Sequence, residues 1–262
     1  MLKKLRPIHK IGIVLVSLII LFVLASLLLA SQATSIIFNN QISWSSMPRN
    51  GGYELSYIKN SKGRKISIWN FPSLVSTKVV LYLHGNAGRL QHFFPYLRQI
   101  GEVYSPAYPG YSESEGQPNI EDTLETATLT YDYLVNVKKI KEENIVIFGH
   151  SLGGSPATYL AKERPKASKL VLVNTFASMQ SLCVRNYSIL CGFTSNIFNT
   201  KKYAKDVTIP VRQFGYKNDS TVPYEESKIL FDAFGKSTDK KFTELEDFTH
   251  ADPDFSQILL HM

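Results

Sequence analysis

Ile145-Val146-Ile147-Phe148-Gly149-His150-Ser151-Leu152-Gly153-Gly154 is the stretch on which the reading of this chain turns. Its first four residues form an unbroken apolar run of the kind that fills a strand buried on both faces. The residues from Ser155 to Lys162 read as a helix, with Pro156 in the first turn, where a missing N–H costs little. A chain passing directly from buried strand to helix must reverse sharply. G-x-S-x-G at that reversal puts the serine in a strained conformation, its Oγ projecting above the sheet. Gly149 and Gly153 remove the Cβ atoms that would collide in so tight a turn. The helix N-terminus below adds N–H groups and a dipole that favour negative charge. Ser151 is therefore the candidate nucleophile. Gly110-Tyr111-Ser112-Glu113-Ser114 lacks both the second glycine and an immediate helix, and reads as a loop.

The alternation of strand and helix extends to both sides. Tyr53–Ile58 and Lys65–Asn70 are short alternating runs joined by Asn60-Ser61-Lys62-Gly63, a hairpin signal. Val79–Leu83 is a second unbroken apolar run. Apolar spacing predicts helices over Leu90–Ile100, Asn119–Lys139 and Tyr224–Phe234. Further strands are expected near Glu102–Ser105 and at Leu170–Val173, Val211–Tyr216 and Phe242–Leu245. A hairpin followed by repeated βα units predicts an α/β fold, a mostly parallel sheet with helices on both faces. Ligands bind beyond the carboxyl ends of the strands in such sheets.

A hydroxyl needs a base, and the base needs an acid to orient it. With a serine at such an elbow, the acid and then the histidine follow along the chain. His9 precedes the apolar N-terminal segment, His84 and His92 precede the serine, His150 lies inside the elbow, and His261 is one residue from the end. His250, just after the last strand, remains. Asp219 lies in Lys217-Asn218-Asp219-Ser220-Thr221-Val222-Pro223, directly after the Val211–Tyr216 strand. Its rivals are weaker: Asp206 precedes that strand, and Asp247 is too near His250 along the chain to approach its ring. His84-Gly85-Asn86-Ala87-Gly88 follows Val79–Leu83, where one oxyanion donor is expected. Asn86 N–H is assigned to it, with Ala87 as the alternative, and Leu152 N–H is the second donor. His84 itself reads as a structural histidine bonding loop backbone.

These pieces resemble the α/β-hydrolase superfamily, and within it the membrane-associated BEM46-like and ABHD17-like branch. The matching segments are His84-Gly85-Asn86-Ala87-Gly88, Tyr108-Pro109-Gly110-Tyr111-Ser112, Gly149-His150-Ser151-Leu152-Gly153-Gly154, Asn218-Asp219 with Val222-Pro223, and His250. They run in family order from Lys78 to His250. The resemblance implies Ser151 as nucleophile, Asp219 as acid and His250 as base. It also implies ester, thioester or amide substrates, since some members are esterases and others protein depalmitoylases. Ala107 stands where the family often has Asp, and Ser112 replaces the next glycine. Both departures touch loop shape rather than the triad.

The 262 residues carry 44% hydrophobic and 19% charged side chains, an ordinary globular composition. Lys3, Lys4, Arg6 and Lys10 supply much of the net charge of +7, leaving 25 basic against 22 acidic residues elsewhere. There is no Lys/Arg block interleaved with aromatics, so nucleic acid is not an expected partner. The expected organisation is a basic flank over 1–10, a transmembrane anchor or uncleaved signal over 11–30, a connector over 31–50, and an α/β-hydrolase domain over 51–262. Ile11–Ala30 is free of charge and long enough to span a bilayer as a helix of ~30 Å. The Lys/Arg bias places the N-terminus in the cytoplasm and the domain on the exterior, periplasmic or lumenal, side. A cleaved signal peptide ending at Ser31-Gln32-Ala33 is the competing reading. Ile36-Ile37-Phe38 is expected to pack on the body.

Cys183 and Cys191 form a short-loop disulfide if the compartment is oxidising, and are packed thiols otherwise. The segment from Asn174 to Lys205 could form a modest apolar wall from Phe176, Tyr187, Phe193 and Phe198, or be plain core packing. The expected activity is hydrolysis of a carboxylic ester or thioester without metal or organic cofactor. Its substrate would be a small-molecule or lipid-like acyl compound, or an acylated protein. A peptidase-like amidase and a decayed membrane-anchored binding module are the alternatives.

Overall fold

A computed structural model of the chain describes residues 7–38, 52–73, 76–86, 90–186, 198–246, 250 and 255–261. The opening hairpin pairs β1 (Glu54–Lys59) with β2 (Lys65–Phe71). Its turn is closed by Asn60, whose Oδ1 accepts from the N–H groups of Lys62 and Arg64 at 3.1 and 2.9 Å. There follow β3 (Val79–Leu83), α2 (Leu90–Leu97), β4 (Glu102–Pro106), α3 (Ile120–Asn136), β5 (Ile145–His150), α4 (Gly154–Glu163) and β6 (Lys169–Val173). The chain continues through α5 (Met179–Asn186), α6 (Thr200–Ala204), β7 (Val211–Tyr216), α7 (Tyr224–Asp232), β8 (Lys240–Leu245) and α8 (Phe255–Leu260). The eight strands form one sheet in the order β1-β2-β4-β3-β5-β6-β7-β8. The β1–β2 and β2–β4 pairs are antiparallel and all others parallel. Chain order therefore reverses at β3, with β4 on one side and β5 on the other. A crevice opens at such a switch point, at the carboxyl ends of the strands.

Period-two alternation along the strands builds two cores. Leu81 and Leu83 of β3, Ile145 and Ile147 of β5 and Leu170 and Leu172 of β6 face α3, α4 and α7 through Tyr131, Leu134, Leu160 and Leu230. Their neighbours Val80, Tyr82, Val146, Phe148, Val171 and Val173 face α2 and α8 through Phe93, Leu97, Phe255 and Ile258. Every residue of β3 and β5 is buried, as their unbroken apolar sequences require. α3 starts where Asn119 caps it, its Oδ1 accepting from Asp122 N–H at 2.8 Å. Asp122 is itself buried and bonds Lys62 of the hairpin turn at 2.5 Å, tying the hairpin to α3.

Three features differ from the sequence reading. The N-terminal helix α1 runs from Pro7 to Ile37, well past Ala30, so the first seven residues of the expected connector are helical. No Gly or Pro interrupts Ser31–Ile37, so nothing there stops a helix already formed. α5 and α6, neither of them placed by the sequence reading, occupy the segment after β6; Phe176 and Phe198 there are buried, which is the core packing that the sequence left open beside an apolar wall. Tyr187 and Phe193 lie outside the described residues. α8, after His250, was not anticipated; its six residues are too few to show a period. Phe38 does pack on the body. Cys183 is disulfide-bonded, and Cys191 lies outside the described residues.

Phe148 lies at the centre of β5 with its ring between Tyr82 and Phe255, centroids 5.7 Å from each. Phe148→Ala should cost about 3–5 kcal/mol in stability, read as a lowered denaturant midpoint, because the sheet cannot collapse around the void.

Candidate active site

β5 ends at His150, and a single turn of 3₁₀ helix, Ser151–Gly153, leads into α4. Ser151 has φ +52°, the left-handed region that costs a non-glycine residue about 1–2 kcal/mol. The reversal brings backbone onto backbone. A Cβ on Gly153 would overlap the Leu83 carbonyl oxygen, and one on Gly149 would lie 2.6 Å from Ala157 Cβ. Glycine is required at both positions. The loop after β3 approaches the same turn: a Cβ on Gly85 would come within 3.3 Å of Ser151 Cβ. Asn86 follows, its side-chain Oδ1 accepting from the Tyr111 hydroxyl at 2.6 Å. Leu152, directly after the serine, is buried.

Ser151 Oγ lies 2.7 Å from His250 Nε2. His250 Nδ1 lies 2.7 Å from Asp219 Oδ2. Asp219 is buried at the carboxyl end of β7, and its other oxygen accepts from the N–H groups of Thr221 and Val222 at 2.8 and 2.9 Å. With the carboxylate accepting from Nδ1–H, Nε2 is left to accept from the serine hydroxyl. Ser151, His250 and Asp219 thus form one hydrogen-bonded line. The rival Asp206 is exposed and pairs with Lys236 at 2.6 Å; Asp247 lies outside the described residues, as does Ala87.

Two further histidines border this line. His84 is fully buried, bonds the Gly85 carbonyl through Nδ1 at 2.7 Å and stacks on Tyr108, centroids 4.0 Å apart. Burial lowers its pKa to about 3. The His150 ring sits 5.6 Å from that of His250 and packs against Phe93. Burial first, and the nearness of His250 second, lower its pKa to about 3. Both rings are neutral at ordinary pH. The sequence reading did not assign Tyr111, the Thr221 and Val222 N–H groups, or the proximity of His150 to His250. Only Tyr111 had a signal, in the Tyr-x-Gly-Tyr turn that carries the family resemblance.

Residues 78–187 match the α/β hydrolase fold family. The chain is 29% identical over 188 residues to protein bem46 of Schizosaccharomyces pombe, covering 68% of this chain and 62% of that protein. It is 32% identical over 136 residues to an uncharacterized membrane protein of Saccharomyces cerevisiae, covering 50% of this chain and 48% of that one. The chain thus spans less than two thirds of the length of either relative. In three dimensions it resembles a Pyrococcus furiosus esterase, with a TM-score of 0.66 at 16% identity, over 79% of this chain and 88% of that one. Fold and sequence together define an α/β hydrolase. Within that superfamily, the chain is similar in sequence to proteins of the BEM46-like branch.

The buried histidines predict how stability varies with pH. The unfolded chain takes up a proton on each near pH 6.5, whereas the folded rings accept none until about pH 3. The unfolded state therefore binds more protons across that window, and stability falls as the pH drops through it. His84→Asn should flatten the slope by roughly 1.4 kcal/mol per pH unit, measured by denaturant unfolding between pH 6 and pH 4.

Proposed function

We propose that this protein is a serine hydrolase that cleaves a carboxylic ester or thioester through an acyl-enzyme on Ser151. The observation that supports it most is the hydrogen-bonded line from Ser151 through His250 to Asp219, at a serine in the left-handed region. In this reading His250 Nε2 takes the hydroxyl proton as Oγ attacks the substrate carbonyl carbon. The Asn86 and Leu152 N–H groups hold the resulting oxyanion. The tetrahedral adduct collapses, and His250 hands its proton to the departing alkoxide or thiolate. Water then attacks the acyl-enzyme by the same route, releasing a carboxylic acid and restoring Ser151. Asp219, fixed by two backbone N–H groups, orients the imidazole and balances its transient positive charge.

The site is read as facing the exterior side of a membrane that α1 spans. α1 contains one stretch, His9–Ser26, long and apolar enough to cross, with mean hydropathy 2.3 and none of it buried. The basic residues Lys3, Lys4, Arg6 and Lys10 precede it. The disulfide at Cys183 supports an oxidising compartment for the domain.

A fluorophosphonate probe should label the unmodified chain and fail to label Ser151→Ala, whose fold is retained because the glycines hold the turn. Asp219→Asn should lower turnover by about 10⁴-fold through the wrong imidazole tautomer, while Asp206→Asn leaves it near the unmodified value. Equal, small losses at both positions would reject Asp219 as the acid. Cleavage of aminoacyl arylamides faster than short-chain esters would make the enzyme an amidase instead. For topology, a reporter fused after Met262 should be active only if it functions outside the cytoplasm. Activity confined to a cytoplasmic reporter would reverse the orientation.

A further inference from the structure

The loop that follows β4 holds the start of the loop that follows β3. Tyr108-Pro109-Gly110-Tyr111 closes a four-residue turn, in which Tyr111 N–H donates to the Tyr108 carbonyl at 2.9 Å. Gly110 takes φ +80°, and a Cβ there would lie 2.8 Å from Pro118 Cδ. With Pro109 second and Gly110 third, this is the pattern of a type II turn. Ser112, next along, sits at φ +49°, in the region that disfavours a side chain. Ser114 fixes the far end to β2: its Oγ donates to the Ala107 carbonyl at 2.8 Å and accepts from Ser67 N–H at 2.9 Å. The spacing of the two tyrosines is thus set by backbone.

Both tyrosines are buried, and both reach the β3 loop. Tyr108 donates its hydroxyl to the His84 carbonyl at 3.1 Å, and Tyr111 donates to Asn86 Oδ1 at 2.6 Å. Between them, His84 Nδ1 lies 2.7 Å from the Gly85 carbonyl oxygen. Three consecutive residues therefore each offer an oxygen to a buried donor. A peptide unit is planar and trans, so the Gly85 carbonyl and the Asn86 N–H share a plane and point opposite ways. Fixing that carbonyl on one side and the Asn86 side chain on the other leaves the Asn86 N–H a single direction. Burial pushes the pKa of both phenols up, so both stay protonated and keep donating across ordinary pH.

We propose that Tyr111 is a positioning residue, its hydroxyl holding Asn86 so that the Asn86 N–H is aimed at the charge that forms on the substrate oxygen. This rests on the hydrolase reading above, in which Asn86 N–H is an oxyanion donor. Tyr111 acts through Asn86 and not on the reacting atoms. Its effect falls on the transition state rather than on substrate binding, and it disappears once the Asn86 side chain is gone.

The full chain in detergent would be assayed with 4-nitrophenyl acetate. Deleting an oxyanion donor outright costs ~10²–10³-fold in kcat, so loosening one by Tyr111→Phe should cost about tenfold, with KM within about twofold. Affinity for a trifluoromethyl ketone, to whose carbonyl carbon Ser151 Oγ adds to leave an oxyanion, should fall by about the same factor. Asn86→Ala keeps the backbone N–H and cuts the same bond from its half-buried end. It should show the same losses, and adding Tyr111→Phe to it should change nothing further. Losses that multiply in the double variant would overturn the inference, as would an unchanged kcat in Tyr111→Phe or a loss confined to KM. Amide hydrogen exchange over His84–Asn86 reads the hold without turnover: it should quicken in Tyr111→Phe, and unchanged exchange would also overturn the inference. If the unmodified chain neither cleaves the ester nor takes a fluorophosphonate probe, the hydrolase reading fails, and faster exchange then supports the hold on the loop alone.

Discussion

The turn between β5 and α4 depends on backbone packed against backbone with no side chain between. Gly153 lies so close to the end of β3 that a single methyl group would strike the Leu83 carbonyl. That approach is possible because β3 and β5 are adjacent, parallel and buried along their whole length. The pressure of the two cores on either face keeps Ser151 in a conformation that costs about 1–2 kcal/mol and would relax in a looser turn. The position of Oγ is thus a property of the sheet as much as of the serine. The same adjacency brings the β3 loop, with Gly85 and Asn86, to the side of Ser151.

Around that serine the protein keeps unpaired charge low. Asp219 is the buried carboxylate on the line, and two backbone N–H groups as well as His250 share its charge. His84 and His150 are held neutral by burial, although His150 sits only 5.6 Å from the ring of His250. A charged His150 would repel any positive charge on the neighbouring His250 ring. With His150 neutral, Asp219 is the charged group hydrogen-bonded to that ring. The histidine inside the elbow sits beside His250 without charge because it is dry.

The described parts of the segment between β6 and β7 meet the residue that follows the N-terminal helix. Glu226, buried under α5, draws in Ala177, Ser181 and, at 3.5 Å, the guanidinium of Arg185. Phe198 then presents its ring to Phe38. Phe176 and Phe198 are thus used to join the end of the N-terminal helix and the described parts of the β6–β7 segment to the core.

By itself the sequence determined the elements and their order. Unbroken apolar runs at Val79–Leu83 and Ile145–Phe148, the glycines around Ser151 and the loop formers around Asp219 are local signals, because burial, turns and helix periodicity act over a few residues. Chain order also singled out His250 and Asp219 as partners for Ser151. What only tertiary structure decided involves residues far apart along the chain. Ser151 and His250 are 99 residues apart yet meet at 2.7 Å. β4 crosses to the outer side of β3, which makes β3 the switch point of the sheet. The N–H groups that hold Asp219, the dryness of His84 and His150, and the seat of Phe38 against Phe198 all depend on packing. None leaves a periodic trace, because each is set by what the fold brings alongside and not by what precedes or follows along the chain.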